Sequence, residues 1–291
     1  MNLFTPAEIA KNAVEIGVKK VNLPFNRMIV LAVLAGAYIA FAAEVATMIS
    51  HDAAPYLGVG VARLLTGAIF SVGLMLVVIC GAELFTGNNL LILGVMEGKI
   101  KTHQMLKNWV YVFAGNFVGA LIVVILMNYS GLWKANSSLH GVFVANVAVS
   151  KMNLTFTEAF VRGVLCNWLV CLAVWMAYAS KDYTGKLIGI FFVITTFVAS
   201  GFEHSIANMY FIPAGIMALN IPGVMQAGGF SAEILSLMTM KGFLMKNLLP
   251  VTLGNIVGGA VFVGMAYWVA FLKEEKERAY VLVPEEAKAK A

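Results

Sequence analysis

Six apolar stretches, separated by short polar segments, run along the chain at 28–49, 58–82, 108–130, 158–180, 187–202 and 247–272. A bilayer crossing needs roughly 20 apolar residues in helix, and a series of such stretches predicts membrane spans rather than buried core helices. Polar residues interrupt the second and fifth stretches near 83–89 and 203–208, after which apolar half-helices continue to about 96 and 219. The pattern predicts an all-α polytopic membrane protein with six transmembrane helices, two of them broken.

Two pairs of segments repeat. Lys107-Asn108, six residues and Gly115-Asn116-Phe117-Val118-Gly119 match Lys246-Asn247, six residues and Gly254-Asn255-Ile256-Val257-Gly258. Gly81-Ala82-Glu83 with Asn88 matches Gly201-Phe202-Glu203 with Asn208. Three spans per copy is an odd number, so the second copy enters the membrane in the opposite sense. The result is an inverted 3+3 repeat whose breaks meet near the midplane. The expected division of this single transmembrane domain, 1–291, is a cytoplasmic amphipathic helix over 1–26, a first repeat over 27–130, a second over 157–272 and a cytoplasmic tail over 273–291.

Composition agrees with the class: 60% of residues are apolar and 12% charged. The charges themselves give orientation. With the N-terminus inside, fourteen lysines and arginines fall in inside segments and four lysines outside, with Arg63 and Arg162 near span starts. That positive-inside asymmetry places both termini in the cytoplasm. The net charge of +5 is accordingly a topology signal, and no basic-aromatic stripe points to nucleic acid. Thr5-Pro6-Ala7-Glu8 has the form of a capping box and opens an interfacial helix over 5–21, either a surface anchor or a gate. Cys80, Cys166 and Cys171 lie in apolar spans and read as packing residues, and the histidines do not gather at metal spacing, so no metal or cofactor is expected.

The chemistry lies at the breaks. Glu83 and Glu203 cannot face lipid and must point inward, toward partners such as Asn88 and Asn208; bracing the loops is the reading favoured over contact with a substrate. His204, inside the second break, either titrates or donates a hydrogen bond to an anion. Across from it, Thr86 offers a hydroxyl, and Leu84 and Phe85 offer bulk. The Gly-Asn-x-Val-Gly copies read as close-packing faces without a substrate role.

Gly81–Asn88, Arg162–Met176 and Ala199–Met209 carry a resemblance to the formate/nitrite transporter family that extends from about residue 4 to 272. The resemblance implies an aquaporin-like fold, a homopentamer with one pore per protomer and residence in the cytoplasmic (inner) membrane of a bacterium or archaeon. It implies His204 as the central histidine, held by Glu203 and Asn208, with Thr86 as the loop threonine, Lys151 as the outer-vestibule lysine and Asn167 as the asparagine of the fourth span. It implies a constriction of Leu84, Phe85 and Val170 toward the outer vestibule and a second of Phe70, Leu74 and Phe197 on the cytoplasmic side. Formate is the first expectation as substrate, with nitrite or hydrosulfide as alternatives. An aquaporin-like neutral-solute pore is the alternative of another class, though Asn-Pro-Ala boxes are missing at 86–88 and 206–208. An embedded enzyme would need a metal, nucleophile or cofactor motif, and none is evident.

Overall fold

The computed structural model describes residues 3–274, so most of the expected tail lies outside the described residues. Helix α1 (Pro6–Val21) opens with the Thr5/Glu8 capping box: the Thr5 amide donates to Glu8 Oε2 at 2.7 Å and the Glu8 amide to Thr5 Oγ1 at 3.4 Å. The membrane helices follow as α2 (Phe25–Ser50), α3 (Val59–Ile79), α4 (Gly87–Met96, beginning as a 3-10 turn) and α5 (Thr102–Ser130). A further helix, α6 (Leu139–Met152), leads into α7 (Phe156–Ala179), α8 (Tyr183–Ala199), α9 (Ser205–Ala218) and α10 (Met240–Phe271). Among the described residues no strand is formed, which gives the all-helical class expected.

Five of these helices are long and apolar enough to cross a membrane on their own. The exception among the expected spans is α8, with 17 residues, because the second break cuts its span short and α9 completes it. The last helix begins before the expected 247 and carries two π-helical stretches, Phe243–Leu248 and Val257–Met265. After α9 the chain bends by 93° into the short helix Pro222–Gly228.

Two helix crossings hold the breaks in place, and the sequence repeat supplies both. Where α2 crosses α5, a Cβ on Gly119 would sit 1.9 Å from the Val33 carbonyl oxygen. Where α7 crosses α10, a Cβ on Gly258 would sit 2.2 Å from the Val164 carbonyl oxygen. Membrane helices pack by such close backbone approach because lipid gives them no hydrophobic drive to associate. The first arm of each broken span ends on a left-handed glycine, Gly81 at φ 77° and Gly201 at φ 78°. That conformation costs a residue with a Cβ about 1–2 kcal/mol and lets the chain leave the helix abruptly.

Candidate functional site

Each break is stitched to its repeat by one asparagine. The Asn116 amide donates to the Glu83 carbonyl at 2.9 Å and the Ala32 carbonyl at 2.7 Å, and its Oδ1 accepts the Phe85 amide at 2.9 Å. Asn255 does the same in the second repeat, reaching the Glu203 and Gly163 carbonyls at 3.0 and 2.8 Å and accepting the Ser205 amide at 2.9 Å. These side chains satisfy backbone groups that a broken helix frees inside a membrane. The glycines of the repeated motif pack as expected, but its asparagines do more: they set the geometry of the site.

A second asparagine in each motif orients a carboxylate. Glu83 accepts from Lys20 Nζ at 2.8 Å and from Asn88 Nδ2 at 2.8 Å, and Asn88 also donates to Asn108 Oδ1 at 2.9 Å. Glu203 accepts from Lys151 Nζ at 2.9 Å and from Asn208 Nδ2 at 2.6 Å, with Asn208 donating to Asn247 Oδ1 at 2.7 Å. Both carboxylates are buried, as are all four asparagines. A buried carboxylate is tolerable here because each is matched by a cation and an amide. The copies are not identical: Asn88 Oδ1 accepts from Lys20 at 3.0 Å, whereas Asn208 Oδ1 is buried without a hydrogen-bond partner.

His204 lies between these two assemblies. It caps α9, its Nδ1 accepting the Ala207 amide at 3.0 Å, and its Nε2 is 3.0 Å from Thr86 Oγ1 of the first break. With Nδ1 occupied as an acceptor, the neutral ring carries its hydrogen on Nε2 and donates it to Thr86. The expected support from Glu203 and Asn208 is not what holds the ring. Glu203 instead pairs with Lys151, and the cap and Thr86 fix the imidazole. Thr86 is itself held from behind, where the Asn167 amide reaches the Thr86 carbonyl at 3.2 Å, Asn89 Oδ1 at 2.8 Å and the Asn255 carbonyl at 2.7 Å. Asn167 thus joins the two repeats and lines neither of the cavities described next.

A cavity approaches the histidine–threonine pair from each side. One, of about 310 Å³, is lined by Lys20, Glu83, Leu84, Asn88, Leu74 and Val174. The other, of about 160 Å³, holds Lys151, Glu203, His204, Phe70 and Phe197. The apolar residues are therefore grouped differently from the expectation. Phe70 and Phe197 stand on the Lys151 side, their rings edge to face at 5.9 Å, while Leu74 and Leu84 stand on the Lys20 side. The cause is the run of α3, which passes Phe70 first and Leu74 one turn later, so the partition between cavities falls between them. Phe85 packs edge-on against Trp109 and Phe113, and it and Val170 are buried without lining either cavity. Lys20 was not singled out by the sequence, since it sits in an amphipathic helix among other lysines.

Two broken spans that meet at a polar pair between lysine-bearing cavities define a membrane channel or carrier. The family model for formate/nitrite transporters matches residues 7–269, and the chain belongs to that family. It is 41% identical over 277 residues to the formate channel FocA of Escherichia coli K12, covering 94% of this chain and 96% of that protein. It is 44% identical over 286 residues to a probable formate transporter of Methanothermobacter thermautotrophicus, covering 93% and 98%. Among solved structures it matches a pentameric formate channel with formate bound, at a TM-score of 0.77 and 36% identity over 85% of this chain and 98% of that one.

Proposed function

We infer that the protein conducts small monovalent weak-acid anions across the cytoplasmic membrane, formate first, with His204 linking passage to protonation. The observation that carries this reading is the His204 Nε2–Thr86 contact at 3.0 Å, a donor pair set between one lysine-bearing cavity and another. The relatives named as formate channels support the substrate, and the pentameric neighbour supports a homopentamer. The positive-inside count turns Lys20 to the cytoplasm and Lys151 outward.

The physical logic is one of charge. An anion entering an apolar passage loses its water at a cost of many kcal/mol. Lys20 and Lys151 raise the local anion concentration at the two mouths. At the centre, a proton moved from a charged His204 to the anion lets a neutral acid cross the apolar partition. The neutral ring has its hydrogen on Nε2, so charging it adds a proton at Nδ1 and displaces the Ala207 amide. Losing a cap of that kind costs about 1 kcal/mol. Proton coupling and the capping of α9 are thus alternatives for one nitrogen.

The test is uptake of formate, nitrite and hydrosulfide into proteoliposomes at about pH 5, 6 and 7.5, comparing wild type with His204→Ala. Formate-dominated flux that varies with pH, and a mutant that loses the variation, is the expected result. Unchanged pH dependence in the mutant removes His204 from the coupling. Equal flux of all three ions redefines the protein as a broad weak-acid anion pore.

A further inference from the structure

A second buried cluster of titratable groups lies beside the Lys151-side cavity, on residues the pathway above does not use. Glu44 of α2 turns Oε2 toward the Tyr210 hydroxyl of α9, which donates to it, and toward Trp133 Nε1 at 3.4 Å. Its other oxygen, Oε1, is buried without a hydrogen-bond partner and faces His140 Nε2 of α6 at 3.7 Å. His140 is fully buried. Its Nδ1 is 3.2 Å from the Leu132 carbonyl, which can only accept. Its Nε2 is 3.1 Å from Thr47 Oγ1, whose own proton goes to the Glu44 carbonyl at 2.8 Å. Thr47 can then only accept from the ring.

Both ring nitrogens of His140 therefore face acceptors, and both donors at Oε2 suit a carboxylate. The arrangement that satisfies every contact is an imidazolium beside a carboxylate, which holds one proton and no net charge. Removing that proton leaves one uncompensated negative charge among apolar residues, where solvent screening is weak. Thr47 and its neighbour Ala46 line the cavity that contains Lys151.

We propose that Glu44 and His140 form a second proton-binding site, in the wall of the Lys151-side cavity, which makes that cavity repel anions once the proton is lost. The inference rests on that cavity being part of the anion path. Burial opposes a charged imidazole and outweighs the Glu44 carboxylate that favours it, so the His140 pKa lies below its ordinary value and the proton is readily lost. The other charged and titratable groups around the pair are few. His51, at the end of α2, holds its ring 5.5 Å from that of His140 at a tilt of 54° and has Asp52 Oδ2 3.9 Å from its Nε2. Tyr210 comes from α9, Lys151 lies at the other end of α6, and Arg63 of α3 and Lys134 of the preceding turn are exposed. A charged His51 would ease loss of the His140 proton.

Two measurements on the full-length protein test this. Infrared difference spectra between about pH 5 and 9, wild type against His140→Gln, read the site directly. Formate uptake over the same range in wild type, Glu44→Gln and His140→Gln reads its effect. The expected spectra contain an imidazolium band that is lost on the alkaline side in wild type and is absent from His140→Gln. The expected wild-type flux falls on the alkaline side by on the order of tenfold more than that of Glu44→Gln. In His140→Gln the step on the alkaline side disappears, because no imidazolium is left to lose a proton; this variant carries both arms if Glu44→Gln does not fold. Spectra in which no titrating band is lost in His140→Gln overturn the site. A titrating band with identical flux profiles overturns its action on the cavity. No formate flux even in wild type removes the anion path and leaves the spectra to decide the proton site.

Discussion

At the scale of single residues, the two motif asparagines Asn116 and Asn255 have the largest structural leverage. Each serves one carbonyl and one amide of its break and a second carbonyl on a neighbouring helix. Replacing Asn255 with Ala orphans the Glu203 carbonyl and the Ser205 amide, at roughly 1–3 kcal/mol for each buried group. The expected result is a loss of thermal stability in detergent well beyond that of an exposed control such as Asn220→Ala. An unchanged melting temperature would mean that water replaces the side chain. Much of this site was legible beforehand. The spacing of Glu83 to Asn88 and of Glu203 to Asn208 located both breaks, and the intramembrane cost of a carboxylate made inward pairing a sound expectation. What was not legible is which polar group meets which. Asn108 and Asn247 were visible as repeat positions, yet a linear sequence does not say that a side chain two helices away meets a loop amide.

At the scale of elements, hydrophobic length revealed the spans, because lipid imposes a length on each. Helix α6 escaped notice since its 14 residues are too few to cross and its function is to lie over α9. The sides of the apolar collars were misread for a related reason: a resemblance names residues, whereas the direction of α3 orders Phe70 before Leu74. Two predictions belong at this level. A methyl on Gly258 meets the Val164 carbonyl at 2.2 Å, so Gly258→Ala forces α7 and α10 apart. Overpacking of that kind costs about 1–3 kcal/mol, and the thermal midpoint should drop accordingly. The second concerns α1. The Thr5 amide and hydroxyl bond the Glu8 carboxylate and hold its pKa below the ordinary carboxylate value. A lowered pKa means the cap's contribution is complete above that ordinary value and disappears as pH falls through the folded-state value. Protection of the Thr5 and Glu8 amides against exchange, relative to their intrinsic rates at each pH, should therefore fall in acid, and Glu8→Gln should flatten that pH dependence.

At the scale of the whole molecule, the lysines that reach the two carboxylates come from helices of different kinds. Lys20 rides on the N-terminal helix α1, and Lys151 on α6, which lies between the repeats. Each precedes its own set of spans, and each packs on the half-helix that follows its break, α1 on α4 and α6 on α9. Counted this way, the chain is two complete kits laid end to end: a lysine helix, an unbroken span, a broken span and an asparagine span. The joint between them is the stretch from Gly131 to Ser138, which holds one short 3-10 turn, Leu132–Lys134. Cut there and expressed as two polypeptides, the halves should insert in opposite senses, find each other through the Gly119 and Gly258 crossings and the Thr86–His204 contact, and restore anion uptake in vesicles. A chain divisible at that point is the form expected if one ancestral half, able to insert either way up, once worked as a pair.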